Sequence, residues 1–432
     1  MTQTLVQPSS RTRSGAMFPI RAGEPVPPDR FGDIRTPLLL RHCKWDPQVE
    51  DVSTVAPFPI LMPRSAWAEL CRDAETLTQE LLEAERELLD QPDLHHPLSV
   101  PRVMRRALRA ARETGAPPVA VRVMRFDFHW TDRGWRISEV NSDVPGGFCE
   151  ASELPRLLAP QVPGAEPAGD PGAAWADALA GRIRADGGGD AVALLAAAGF
   201  MEDQQVVGYM GRLLAERGIT PCLADPAQLR WVDGRAFVND ARVSAVVRFY
   251  QAEWLAGLPR RHRDCWLPLA AGGRTPVTNP LASALTESKR LPLVLDRLAT
   301  RLPTWGRLLP ETRDPRDADW QRDDGWLLKT AFCNTGDTVS AASLIPAKQW
   351  RRTRWHARLF PSQWIAQRRF NTLPIETPSD DAAVPMYPCI GVYTIDGRAC
   401  GAYARLSHRP IVDYRAVDAA LLLTDGDDGE DA

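Results

Sequence analysis

Residues 125–143, RFDFHWTDRGWRISEVNSD, constrain this chain more than any other stretch. Two runs that alternate apolar and polar residues flank a break at Thr131, Asp132, Arg133 and Gly134, and that pattern predicts a β-hairpin. A three-residue loop over 132–134, with Gly134 left-handed, sets Thr131 opposite Trp135. Continued outward, the register pairs Asp127 with Glu139 and Arg125 with Asn141. Side chains on one strand face recur every second residue, so all four share a face. Cross-strand Cβ atoms lie about 5 Å apart, close enough for Asp127, Glu139 and Asn141 to reach one group of hard cations. Two carboxylates and an amide oxygen are the partial shell that magnesium takes from a protein, with water and phosphate supplying the rest. Arg125 beside them suits a phosphate or acyl-phosphate oxygen. The same four residues on an exposed sheet would form only an ion-pair ladder. The asparagine two positions after Glu139 and the loop Pro145-Gly146-Gly147 favour the metal reading.

The remainder of the chain sets the frame. At 432 residues it exceeds one simple core, so two or three subdomains are expected. Its net charge of −3 gives no electrostatic reason to expect nucleic acid or an anionic membrane as the main partner. No apolar run approaches the roughly 18–20 residues of a membrane span, and the first twenty residues lack a signal-peptide core. The eight cysteines are scattered without a C-x-x-C pair, so they read as reduced thiols and the expected compartment is the cytoplasm. Adjacent His95 and His96 read as a surface loop, and no zinc-ligand spacing recurs.

Along the chain, residues 1–36 read as a loose lead-in. The periodicity predicts helices over 65–89, with Ser65 as N-cap, and over 100–113, with Pro101 as first helical residue. Strands are predicted at 119–130 and 135–141. The Pro/Gly-rich 163–172 marks an internal boundary. Helix 174–185, strand 191–198, helix 203–217 and strand 243–250 follow in α/β order. A helix is predicted over 283–300, then strands at 326–330, 364–368, 390–395 and 401–406, and an acidic tail. Cys149 near the hairpin reads as a small buried thiol.

The hairpin residues, with Asp143-Val-Pro145 and Glu150-Ala after them, resemble the glutathionylspermidine synthase family of ATP-grasp ligases. Further matches are V-T-N-P at 277–280 leading to Lys289, W-L-L-K at 326–329, W-I-A-Q at 364–367, and the paired segments 391–397 and 401–405. The resemblance implies a mixed α/β (α+β) ATP-grasp fold in the family's permuted order, its metal strands preceding its ATP lysines. It divides the chain into the lead-in 1–36, helices and metal hairpin 37–160, an inserted pre-ATP-grasp-like α/β domain 161–280, an ATP-binding subdomain 281–424 and the tail 425–432.

By the same resemblance, Asp127, Glu139 and Asn141 bind two magnesium ions and Arg125 contacts the reacting phosphoryl group. Lys289, Lys329, Gly336 and Gln367 bind ATP, Arg405 serves on the phosphate or substrate side, and Glu202 and Asp203 hold an amine. The implied reaction is ATP-dependent joining of a carboxylate to an amine through an acyl phosphate, with ADP released. Positioning and electrostatics carry it, so no serine or cysteine nucleophile is required. Two departures stand out. The loop after Lys329 reads N-T-G-D where the family commonly has G-R-E-G, and residues 142–148 differ from the family's substrate loop. Substrates are therefore a small-molecule or peptide carboxylate and an amine of open identity, with no nucleic acid or membrane partner and an open oligomeric state. A peptide- or amino-acid-modifying ligase of a natural-product pathway, or a silent ATP-binding scaffold, is the alternative.

Overall fold

The computed structural model describes residues 18–425 except 47, 50–51, 186–188, 198, 260–261, 333–338, 380–381 and 414. At its centre is a six-stranded antiparallel sheet in the order 417–419, 398–407, 384–395, 123–131 and 134–141, with 375–377 also paired to 384–395. The long helix Arg64–Asp90 covers one face of this sheet. Its Leu70, Ala74, Leu77, Leu81, Ala84 and Leu88, spaced three and four apart, are fully buried. Each such leucine contributes roughly 1.5–3 kcal/mol by leaving water. Buried Thr78 and Thr394 hydroxyls, 2.9 Å apart, fasten helix to sheet.

A second sheet is parallel, in the order 277–278, 245–249, 191–196 and 220–224. Its strands Ala191–Ala196 and Ala245–Phe249 are nearly all apolar because both faces are covered. Asn279, just past this sheet, bonds the backbone of Val123, Ser142 and Asp143, and so ties both ends of the hairpin to it. A third sheet, 312–313, 364–368 and 326–330, packs Trp320, Trp326, Leu328 and Trp364 under the helix Ala347–Leu359.

Several expectations are corrected. The lead-in contains a strand, Arg21–Ala22, and a helix, Pro28–Arg41. The helix predicted from Ser65 starts at Arg64 behind Pro63, and the next starts at Arg102, with Pro101 outside it as the cap. Strand pairing begins at Val123, while Val119 only bridges Val277. Helix 283–300 is broken into Ala284–Glu287 and the 3₁₀ stretch Leu291–Arg297. Pro292 lacks an N–H, and the Lys289 N–H bonds the Ala331 carbonyl at 2.8 Å instead of an earlier helical turn. His95 is not a surface residue: it is fully buried and its Nε2 lies 2.8 Å from the Leu88 carbonyl.

Candidate functional site

The hairpin forms as Val123–Thr131 against Gly134–Asn141, and its turn is tighter than expected. Thr131 pairs with Gly134, whose φ of 80° suits glycine, and not with Trp135. A bulge at Ser138 then inserts one residue, which restores the expected pairs Asp127–Glu139 and Arg125–Asn141. The bulge also turns the Ser138 carbonyl to accept from Lys329 Nζ at 3.0 Å.

These side chains line one wall of a cavity of about 880 Å³ that includes Arg125, Asp127, Glu139, Asn141, Lys329, Gln367 and Arg405. Arg125 Nε and Nη2 reach the two oxygens of Asp127 at 2.8 and 3.0 Å, and Arg405 Nη2 lies 3.4 Å from the second. The Asn141 amide nitrogen stands 3.4 Å from that same oxygen. Glu139 faces Lys289 at 3.7 Å and Lys329 at 3.9 Å. Burial works against ionisation of both carboxyls, yet the surrounding cations outweigh it, Arg125 for Asp127 and the two lysines for Glu139, so both are held below the usual range. Lys289 sits behind the main wall, in a small recess shared with Glu139, Lys329 and Gln367. Its ammonium donates to Glu287 Oε1 at 3.1 Å, and Glu287 Oε2 accepts from the Ser142 and Asp143 N–H groups. Glu287 thereby couples Lys289 to the backbone immediately after Asn141.

The donor set fits magnesium: two carboxylates and an amide on adjacent rungs offer oxygens and no soft ligand. Among the described residues, no cluster of three His, Cys, Asp or Glu forms a metal cage. Four cations, Arg125, Arg405, Lys289 and Lys329, face three carboxylates, Asp127, Glu139 and Glu287, which leaves one positive charge beyond those pairs. That balance suits a metal that arrives with a polyphosphate better than a bare cation. Gly336 and its loop lie outside the described residues. Gln367 is buried on Trp364–Arg368, where Nε2 donates to Thr312 Oγ1 at 3.1 Å. Cys389 lines the cavity, but burial raises its thiol to about 12, and burial likewise raises Cys149.

The same cavity is also lined by Glu202 and Asp203 and by three residues that sequence reasoning missed, Phe200, Glu253 and Trp254. Glu202 follows the strand 191–196 and Glu253 follows 245–249. These are neighbouring parallel strands between which the strand order reverses, where open α/β sheets bind ligands. Burial pushes the Asp203 carboxyl up to about 6 and Glu253 to about 7, each with a nearby carboxylate adding to the shift. The Phe200 and Trp254 rings stand 5.1 Å apart beside them. Also missed were His129, which burial lowers to about 4, and buried Lys44, bonded to Glu150 at 2.7 Å and Asp418 at 3.0 Å. Glu253 was findable as a carboxyl just past a predicted strand end; Lys44 carried no local signal.

Comparison with known proteins bears on the fold and the family. Across 92% of this chain and 99% of the other, the structure superposes on a glutathione synthetase-like effector from Globodera pallida in its apo form, with 14% identity and a TM-score of 0.56. A putative gamma-glutamylcysteine synthetase from Methylobacillus flagellatus matches over 80% of this chain and 88% of its own, at 13% identity and a TM-score of 0.42. No curated protein matches by sequence. The family described as glutathionylspermidine synthase preATP-grasp matches residues 62–419. That span takes in the central sheet, the parallel sheet and every strand lining the cavity, and the chain belongs to this family.

Proposed function

We propose that this protein is an ATP-dependent carboxylate–amine ligase that forms an amide through an acyl phosphate and releases ADP. One observation carries the reading: two carboxylates and an asparagine amide line one cavity with three cations, Arg125, Lys329 and Arg405, and the same cavity is also lined by acidic and aromatic side chains. Asp127, Glu139 and Asn141 would hold magnesium, which on binding neutralises phosphate charge during transfer. Lys329, with Lys289 behind Glu139, offers positive charge to the ATP phosphates, and the backbone beside Gln367 serves the base. Arg125 and Arg405 orient the substrate carboxylate toward the γ-phosphate and stabilise charge on the transferring group. Arg125 also donates to the Gly146 carbonyl at 3.0 Å, which fixes its direction. In the same cavity, Glu202, Asp203 and Glu253 would attract a cationic amine, and the Phe200 and Trp254 rings beside them offer it aromatic faces.

The first test is phosphate release from Mg-ATP with pooled carboxylates and amines, comparing the native chain with Asp127→Ala and Glu139→Ala. Amine-dependent release that both substitutions reduce at least about a hundredfold is expected. ATP binding without turnover, unchanged by either substitution, would overturn the ligase reading and leave the scaffold.

A further inference from the structure

The net charge of −3 conceals a local imbalance. The helix Ala347–Leu359, AKQWRRTRWHARL, carries Lys348, Arg351, Arg352, Arg354 and Arg358 and no acidic residue. Only Thr353 and Ala357 of this helix are buried, and Trp350 packs edge-on against Trp320 at 6.1 Å. Positions 350, 353 and 357 therefore make its inner stripe. Helical spacing puts Lys348, Arg352, Trp355 and Leu359 on the outer one. Trp355 is 60% exposed, Leu359 52% and the following Phe360 44%. Among the described residues, three of the ten exposed large apolar side chains thus fall within six consecutive positions. Among the described residues, no carboxylate pairs with Lys348, Arg351, Arg352 or Arg354.

We propose that this helix docks the protein on an anionic lipid surface. The combination of groups selects that occupant. A merely solvated basic face has no use for Trp355, Leu359 and Phe360 in water. A second copy meeting the same face across a two-fold axis would set arginine against arginine. Nucleic acid would answer the charge but offers Leu359 and Phe360 no apolar phase. The bilayer interface provides both: lipid phosphates for the cations, and the boundary of the acyl region for an indole and two apolar side chains. No described helix is long and apolar enough to cross a membrane, so the contact is peripheral. The proposal is independent of the ligase reading, because none of these residues lines the cavity.

The test is co-sedimentation of the full chain with vesicles of phosphatidylcholine alone or mixed with phosphatidylglycerol. Binding only to the mixed vesicles, weakened by salt, is expected. Trp355→Ala with Leu359→Ala, and separately Arg351→Glu with Arg352→Glu, should each weaken it by roughly tenfold or more. Circular dichroism and melting of each variant confirm that these surface changes leave the fold intact. The proposal fails if no vesicle binds, if binding survives both double variants, or if a single-stranded oligonucleotide binds through the same residues while vesicles do not.

Discussion

At the scale of residues, the site depends on buried charges whose partners are far away in sequence. Arg248 is completely buried, and its guanidinium clasps Asp143 with a pair of hydrogen bonds, one of them 3.2 Å. Asp143 in turn accepts from Ser283 Oγ at 2.6 Å and from the Ala252 N–H at 2.9 Å, which anchors the loop after Asn141 to the parallel sheet. Arg248→Ala would leave the Asp143 charge buried and uncompensated. A loss of about 3–5 kcal/mol in urea denaturation is expected, and a change below about 1 kcal/mol would show that the loop holds without the pair. The alignment of Asp127 with Glu139 was legible because the alternation of a hairpin dictates which side chains share a face. Lys44, Glu150 and Asp418 were not, since residues 106 and 374 positions apart meet only once three segments have packed.

At the scale of elements, strands were read more reliably than their ends and turns. Period-two alternation is a strong local signal, whereas a bulge is decided by what the strand must face. Ser138 bulges toward Lys329 on a strand nearly two hundred residues later, so no local rule exposes it. The failure at 283–300 has the same origin: its apolar spacing is helical, but Pro292 and the backbone bond to Ala331 override it. Gly391, paired with Asp127 on the central strand, shows how closely the elements approach. A Cβ there would lie 2.7 Å from the Tyr403 ring and 3.0 Å from Arg125 Cδ. Gly391→Ala should therefore displace Arg125 and lower Mg-ATP turnover at least about tenfold, for a stability cost of about 1–3 kcal/mol. Phosphate release and urea titration on the same preparation separate the two effects. Retained turnover would mean that Arg125 can shift without consequence.

At the scale of the whole molecule, Glu153 joins three parts of the fold. It accepts from Arg156 Nε at 2.8 Å, Arg212 Nη2 at 2.8 Å and Tyr209 Oη at 3.1 Å, and it faces His42 Nδ1 at 3.2 Å. Burial opposes its ionisation, but His42 and Arg156 prevail and hold the carboxyl at about 2. A depressed carboxyl stabilises fully above its unfolded value near 4.5, and that contribution fades as the pH falls toward 2. Lowering the pH through this window should consequently remove about 1–2 kcal/mol of stability once solvent screening is allowed for, and Glu153→Gln should flatten that part of the stability profile. An unchanged profile would place the acid sensitivity elsewhere. By itself, the sequence determined the hairpin, the face shared by Arg125, Asp127, Glu139 and Asn141, the α/β order of 174–250 and the family, because alternation, helical period and motif spacing are local properties. Only the tertiary structure decided that Lys289 lies behind Glu139, that Glu253 joins Glu202 and Asp203, and that the 347–359 helix leaves its basic, aromatic stripe uncovered. Those outcomes depend on which surfaces pack together, and burial couples residues that no window of sequence contains.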